Sequence, residues 1–182
     1  MRLRDHADSV LEQWQQARPD LDAHALGIAG RILRLANLME HRTNDVLAEF
    51  DLALWEFDVL GTLRRQGKPY TLTPTALMAA TLLSSGAMTN RINRLEERGF
   101  VERTPSTADR RSFQISLTAK GLRAIDAAAG PRFSDAAEAI EQLSAKERST
   151  LADLLRKLTH ALEPNYRPSS SGLGKTEYSA GK

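Results

Sequence analysis

Apolar positions recur at helical spacing along most of the chain and switch to period two in one short stretch. From Ser84 to Arg98 the stripe is narrow. Met88, Ile92 and Leu95 stand at i, i+4 and i+7, which predicts a helix seated on a core along a single line. Ser85, Gly86, Thr89, Asn90 and Asn93 share the adjoining face, and Arg91, Arg94 and Arg98 form a third ridge. Short amide and hydroxyl groups reach base edges, and guanidinium groups beside them suit phosphates or guanines, so this face fits a DNA major groove. An ordinary solvated amphipathic face shows a similar pattern, and the surroundings have to decide between the two.

Upstream, Asp5 to Ala17 reads as a short helix with Val10, Trp14 and Ala17 on one side, stopped before Pro19. A long helix is expected from about Leu21 to Glu49. Its stripe of Ile28, Ile32, Leu35, Met39, Val46 and Phe50 is too long to stand without a partner. Asp51 is placed to cap the next helix, Leu52 to Gln66, which Gly67 ends. Tyr70-Thr71-Leu72 has the look of a short strand. Thr73-Pro74 then combines an N-cap hydroxyl with a proline at the first helical position, opening a helix through Leu82. The polar helix, capped by Ser84 or Ser85, follows after a few residues, as in a helix-turn-helix.

Downstream of Gly99, Phe100 to Thr104 and Phe113 to Leu117 alternate with period two around the connection 105–112. A two-stranded ribbon is marginal unless it packs on something, so Phe113, Ile115 and Leu117 should lean on the helix pair, making a wing. Thr118 caps a further helix with an expected interruption at Gly130-Pro131 that resumes through Ile140. Ser144 and Glu147 form a capping box before a last helix with the seam Leu151, Leu154, Leu155, Leu158 and Leu162. The terminal helices carry more apolar surface than one small winged domain can cover, which points to homodimerisation.

Composition sharpens this picture at two points. Residues 61–123 carry 11 basic and 4 acidic side chains, whereas residues 1–60 carry 6 and 11, so a net charge of only +2 hides a basic middle segment. That is the footprint of a surface for a polyanion, and no apolar face accompanies it that could enter a membrane. Cysteine is absent, which excludes disulfides and thiolate chemistry. The charged start and the lack of any long apolar run lead to the expectation of a cytoplasmic protein.

The run Leu95-Glu96-Glu97-Arg98-Gly99-Phe100-Val101-Glu102-Arg103, then Asp109-Arg110-Arg111-Ser112 and Leu117-Thr118-Ala119-Lys120-Gly121, resembles the MarR family of winged-helix repressors, over roughly residues 25–162. The resemblance implies that the polar helix reads the major groove through Ser85, Gly86, Thr89, Asn90, Asn93 and Arg94. It also implies that the wing enters the adjacent minor groove, with Arg111 matching the family's wing arginine, Asp109 the acid that orients it, and Arg110 alongside. Arginine in a narrow, electronegative minor groove senses groove width, so the wing should favour A·T-rich flanks. Asp109 also fits a plain turn residue, and both roles can coexist.

A narrower resemblance, to the urate-responsive branch of that family, rests on Leu11-Glu12-Gln13-Trp14, Arg18-Pro19-Asp20-Leu21-Asp22 and Glu56-Phe57-Asp58-Val59-Leu60 with Leu63-Arg64-Arg65. It implies a ligand site of Trp14, Asp58, Arg65, Arg91 and Arg103. The chemistry is coherent, because urate is a flat anionic purine suited to an indole wall and guanidinium donors. Another small aromatic or carboxylic acid fits the same site, and a metal-sensing regulator is a further alternative.

Catalysis is not expected. His6, His24, His41 and His160 are scattered without metal-ligand spacing, and no nucleophile elbow, phosphate loop or dinucleotide fingerprint appears. The expected architecture is mainly α with a small β-wing. N-terminal helices (1–50) serve as ligand lid and dimerisation arm, a winged helix-turn-helix spans 51–121, C-terminal dimerisation helices span 122–163, and a Ser/Gly/Pro-rich, disordered tail spans 164–182. The expected assembly is a homodimer on an inverted-repeat, double-stranded operator, with no resident cofactor and a small anionic, urate-like effector.

Overall fold

The computed structural model describes residues 4–81, 85–105 and 113–163, with the backbone alone at residue 85. Helices α1 (His6–Ala17), α2 (His24–Ala48) and α3 (Leu54–Arg65) precede the two-residue strand β1 (Thr71–Leu72). Helices α4 (Pro74–Thr81) and α5 (Ser85–Glu97) lead into strands β2 (Val101–Pro105) and β3 (Phe113–Leu117), and α6 (Ala119–Ala139) and α7 (Ala145–Leu162) complete the chain. No helix among the described residues is long and apolar enough to cross a membrane. The expected tail, 164–182, lies outside the described residues. Two compact units divide the chain, Met1–Asp45 and Val46–Lys182.

In the first unit α1 begins at a reciprocal cap, with Asp5 accepting from the Asp8 amide while the Asp8 carboxylate accepts from the Asp5 amide. Arg31 on α2 then reaches both acids, at 2.8 Å each, fastening the helix start onto α2. Close approach is possible because Gly27 faces Leu11. A methyl there would stand 2.6 Å from the Leu11 Cδ1. Helix α2 starts at His24, three residues later than the apolar pattern suggests, since Asp22 accepts from the His24 amide and caps it. Ile28, Ile32, Leu35 and Leu38 on α2 remain exposed.

The second unit holds the core: Leu47, Leu52, Val59, Leu60, Leu63, Leu77, Met88, Ile92, Leu95, Phe100, Val101, Ile115, Leu117, Ile125 and Ala128. Met88, Ile92 and Leu95 all point into it, as their spacing requires. Thr73 accepts from the Ala76 amide at the start of α4. Gly99, at φ +70°, ends α5 by turning the chain so that the Phe100 amide returns to the Leu95 carbonyl.

Thr118 caps α6 by accepting from the Gly121 amide, and its hydroxyl lies within donating distance of the Gly99 and Phe100 carbonyls. Glycine is obligatory at 121, because a Cβ would fall 2.0 Å from the Phe100 carbonyl oxygen. Ser144 and Glu147 form the expected capping box of α7.

Three features differ from the sequence expectation. The ribbon is three-stranded, in the order β1-β3-β2, with Thr71 opposite Ser116 and Leu72 opposite Ile115. The extra strand pairs one edge of β3 that a two-stranded wing would leave open. Asp51 does not cap α3. It adopts φ 54° in the turn after α2, and α3 starts at Leu54 with the Glu56 carboxylate accepting from the Ala53 amide. Finally, α6 runs unbroken through Pro131. The proline and Ala127, whose carbonyl loses its helical partner, both sit on the exposed face, so the missing bond is not confined to the core and the helix continues on either side.

Candidate functional site

The exposed face of α5 presents Gly86, Thr89, Asn90, Asn93 and Arg94, while its buried stripe is held in the core. The backbone of Ser85 opens the helix. Amide, hydroxyl and guanidinium groups are therefore displayed together on a helix that cannot roll without pulling Met88, Ile92 and Leu95 from the core. Asp109, Arg110 and Arg111 lie outside the described residues.

The third ridge does not act as one row. Arg98 is folded inward: its Nη1 donates to both oxygens of buried Glu56 at 2.7 and 2.6 Å, and its Nη2 donates to the Asp51 carbonyl and carboxylate at 2.5 Å. The guanidinium also covers the Phe100 ring at 4.6 Å. This arginine ties the end of α5 to the start of α3, and its donors are spent there. The spacing that groups it with Arg91 and Arg94 on one ridge holds no trace of Glu56, which lies 42 residues earlier.

Arg91 turns to a different neighbour. It rests over the Trp55 ring at 5.4 Å and, with Asp58, Thr62, Arg65, Ala80 and Thr81, lines a cavity of about 220 Å³ in the second unit. Asp58 and Arg65 stand on one side of α3, and Arg91 arrives from α5. The wall is stiffened by a short relay: Arg65 Nη2 donates to the Thr62 hydroxyl at 3.0 Å, which donates to the Asp58 carbonyl at 2.7 Å.

Asp58 stands at the mouth, open to solvent on one side, yet enough protein crowds the carboxylate for desolvation to raise its pKa. Arg91, Arg132 and Arg65 pull in the opposite direction without overcoming it. None of the three closes on Asp58 as a direct ion pair among the described residues. Desolvation likewise holds Arg91 below its ordinary value, opposed by Asp58. The pocket thus presents positive charge through Arg65 and Arg91, neither in an ion pair among the described residues, and one carboxylate whose ionisation is disfavoured by desolvation. A small anion suits such a site; its volume is below the range typical of drug-sized ligands.

Two of the expected ligand residues are not in the wall of this cavity. Trp14 belongs to the first unit, where it lines a largely apolar cavity of about 430 Å³ with Val10, Leu11, Leu26, Gly30 and Arg34 among others. Arg103, on β2, reaches back to α5. It pairs with the Glu96 carboxylate, donates from Nη2 to the Asn93 Oδ1 at 2.5 Å, and covers the Phe113 ring at 5.4 Å. It is not in the wall of the Asp58 cavity, which gathers Asp58, Arg65 and Arg91 of the expected residues. Sequence reading missed Thr62 and Trp55 as parts of the site. Their signal was available in the i+4 step from Asp58 to Thr62 and in the single aromatic one turn before Asp58–Val59.

Residues 50–112 match the MarR family. The HTH-type transcriptional regulator PecS of Dickeya dadantii is 31% identical over 156 residues, covering 86% of this chain and 94% of PecS. Among solved structures, a mutant MarR from E. coli complexed with operator DNA aligns with a TM-score of 0.67 at 25% identity, over 80% of this chain and 96% of that one. BpsR of Bordetella bronchiseptica, described with a mechanism for regulation of its DNA binding by 6-hydroxynicotinic acid, shares the fold at a TM-score of 0.66 and 22% identity, over 72% of this chain and 92% of its own. With its polar helix seated on a core of its own and a three-stranded wing sheet beside it, the chain belongs to the MarR family of DNA-binding transcriptional regulators.

Proposed function

We propose that the protein is a homodimeric repressor that binds an inverted-repeat operator and is released by a small aromatic anion, with urate the leading candidate. The observation that carries this reading is Arg91, which lies on α5, the helix proposed to meet DNA, and at the same time lines the cavity holding Asp58 and Arg65. An anion drawn between Arg65 and Arg91 gains two charge-assisted contacts and leaves Asp58 beside a second negative charge, which favours its protonation. Drawing Arg91 toward the ligand shifts α5 relative to its groove. A tenfold loss of DNA affinity requires about 1.4 kcal/mol of coupling between the two sites.

The dimer reading rests on the exposed leucines of α2 and, separately, those of α7, which a second copy would cover. Two copies then place their reading helices about 10 bp apart along the duplex. Ser85, Gly86, Thr89, Asn90 and Asn93 serve the base edges and Arg94 the backbone or a guanine, while Asp109, Arg110 and Arg111 serve the wing. Trp14 is kept as the indole of the proposed ligand site, and Arg103 acts on α5 through Glu96 and Asn93. A different aromatic acid is the second reading, favoured by the small size of the pocket and by the 6-hydroxynicotinic acid response of BpsR, a regulator of the same fold.

A gel shift on the DNA upstream of the protein's own gene, with and without urate, tests the proposal together with tryptophan emission. Trp55 lies under Arg91, so occupancy should change its emission, and Arg91→Ala should abolish the urate effect on DNA binding. Retained operator binding with no response to urate in either measurement moves the effector to another acid. No specific binding at all overturns the regulator's proposed operator.

A further inference from the structure

Arg103 donates to the oxygen of the Asn93 amide, and this has a consequence for DNA reading that the residue types alone do not suggest. An amide's oxygen and nitrogen can be exchanged by a half-turn, but a guanidinium carries donors only, so the atom 2.5 Å from Arg103 Nη2 has to be Oδ1. Glu96 pairs with the same guanidinium and holds it in place, and the Phe113 ring lies beneath it. The amide is therefore locked with its Nδ2 donors turned away from β2, on a residue that stands on the exposed face of α5.

Asparagine ordinarily pairs with adenine by using both ends of the amide, Nδ2 donating to N7 and Oδ1 accepting from the N6 amino group. Here one lone pair of Oδ1 is taken, and a cationic group sits where the amino hydrogens of an adenine would bring further positive charge. Guanine presents two acceptors at the same edge, N7 and O6, which match two N–H donors.

We infer that Arg103 acts as a specificity-setting positioning residue: by taking one lone pair of the Asn93 oxygen and setting positive charge beside the other it makes Asn93 read as a donor, so that each operator half-site carries a guanine rather than an adenine at the position Asn93 meets. This rests on the proposed reading role of α5. The wing strand thereby sets base preference at a base that it does not itself touch.

The test uses the full-length protein and a pool of duplexes randomised over about 20 bp, enough for two half-sites one turn apart. Wild type should select, at one position per half-site, guanine over adenine by about tenfold. Asn93→Ala should flatten that position alone. Arg103→Met keeps an unbranched side chain over Phe113 but removes the donors. It should bring guanine and adenine within about twofold of each other at that position while other positions keep their preferences.

If that variant does not fold, the wild type still decides, because 7-deazaguanine at the selected position, lacking the N7 acceptor, should weaken binding about as much as adenine does. Selection of adenine at the Asn93 position, or an Arg103→Met variant with the wild-type preference and only lower affinity, overturns the inference. A pool from which wild type selects no inverted repeat overturns the operator reading beneath it instead.

Discussion

Helices α5 and α7 are written in the same apolar grammar and meet opposite ends. On α5, Met88, Ile92 and Leu95 are 1%, 2% and 0% exposed, whereas on α7 Leu154, Leu155 and Leu158 stand 56%, 42% and 43% exposed. Periodicity reports that a face needs cover; it does not report what supplies it. For α5 the cover lies within the chain, in α4, β2 and the buried side of α3. For α7, which has no buried residue, the second unit supplies no such cover among the described residues. One helix is thus fixed by folding, and the proposed dimer is what would fix the other.

The largest effect that can test this contrast is on stability. Leu95→Ala should lower the unfolding free energy of the protomer by about 4 kcal/mol, read from denaturant midpoints, since the side chain is fully enclosed. A loss no greater than that of a matched α7 leucine would erase the distinction. Leu158→Ala should act on assembly, raising the dimer dissociation constant about tenfold, or about 1.4 kcal/mol, by analytical ultracentrifugation. An unchanged dimer would remove α7 from the interface.

The smallest effect concerns the pocket between the two helices that frame it, α3 and α5. Burial holds the Asp58 pKa above its ordinary 3.8, so the folded state disfavours the ionised carboxylate. At neutral pH that charge opposes folding, and the penalty fades as pH falls through the raised value, vanishing below the unfolded one. Asp58→Asn should therefore be slightly more stable than wild type near pH 7, with the two converging in acid. The opposite order would mean that Arg91, Arg132 and Arg65 outweigh burial.

Elements with a local chemical signal were legible in the sequence: the caps at Thr73, Thr118 and Ser144, the stop at Gly99, and the alternation of β2 and β3. Strand β1 was readable as extended, but two residues cannot reveal a partner 45 residues away. Asp51 looked like a cap because residue type was the only guide. Its left-handed backbone and its pairing with Arg98 depend on how α2 turns into α3. Pro131 was read as a break because proline removes a helical hydrogen bond, and here it does so on the exposed side of α6. In the pocket, Asp58 and Arg65 share a face by spacing alone. The arrival of Arg91 depends on packing between α3 and α5, and the sequence suggested it only through family resemblance. The grip of Arg103 on Asn93 depends on where a strand folds back, which no spacing encodes.

The contact between Gly121 and the Phe100 carbonyl allows no methyl, whatever duplex the protein meets, while Thr89, Asn90 and Asn93 can be exchanged without disturbing the core. Retargeting this regulator to a new operator is accordingly a matter of refitting a few outward side chains on an unaltered chassis.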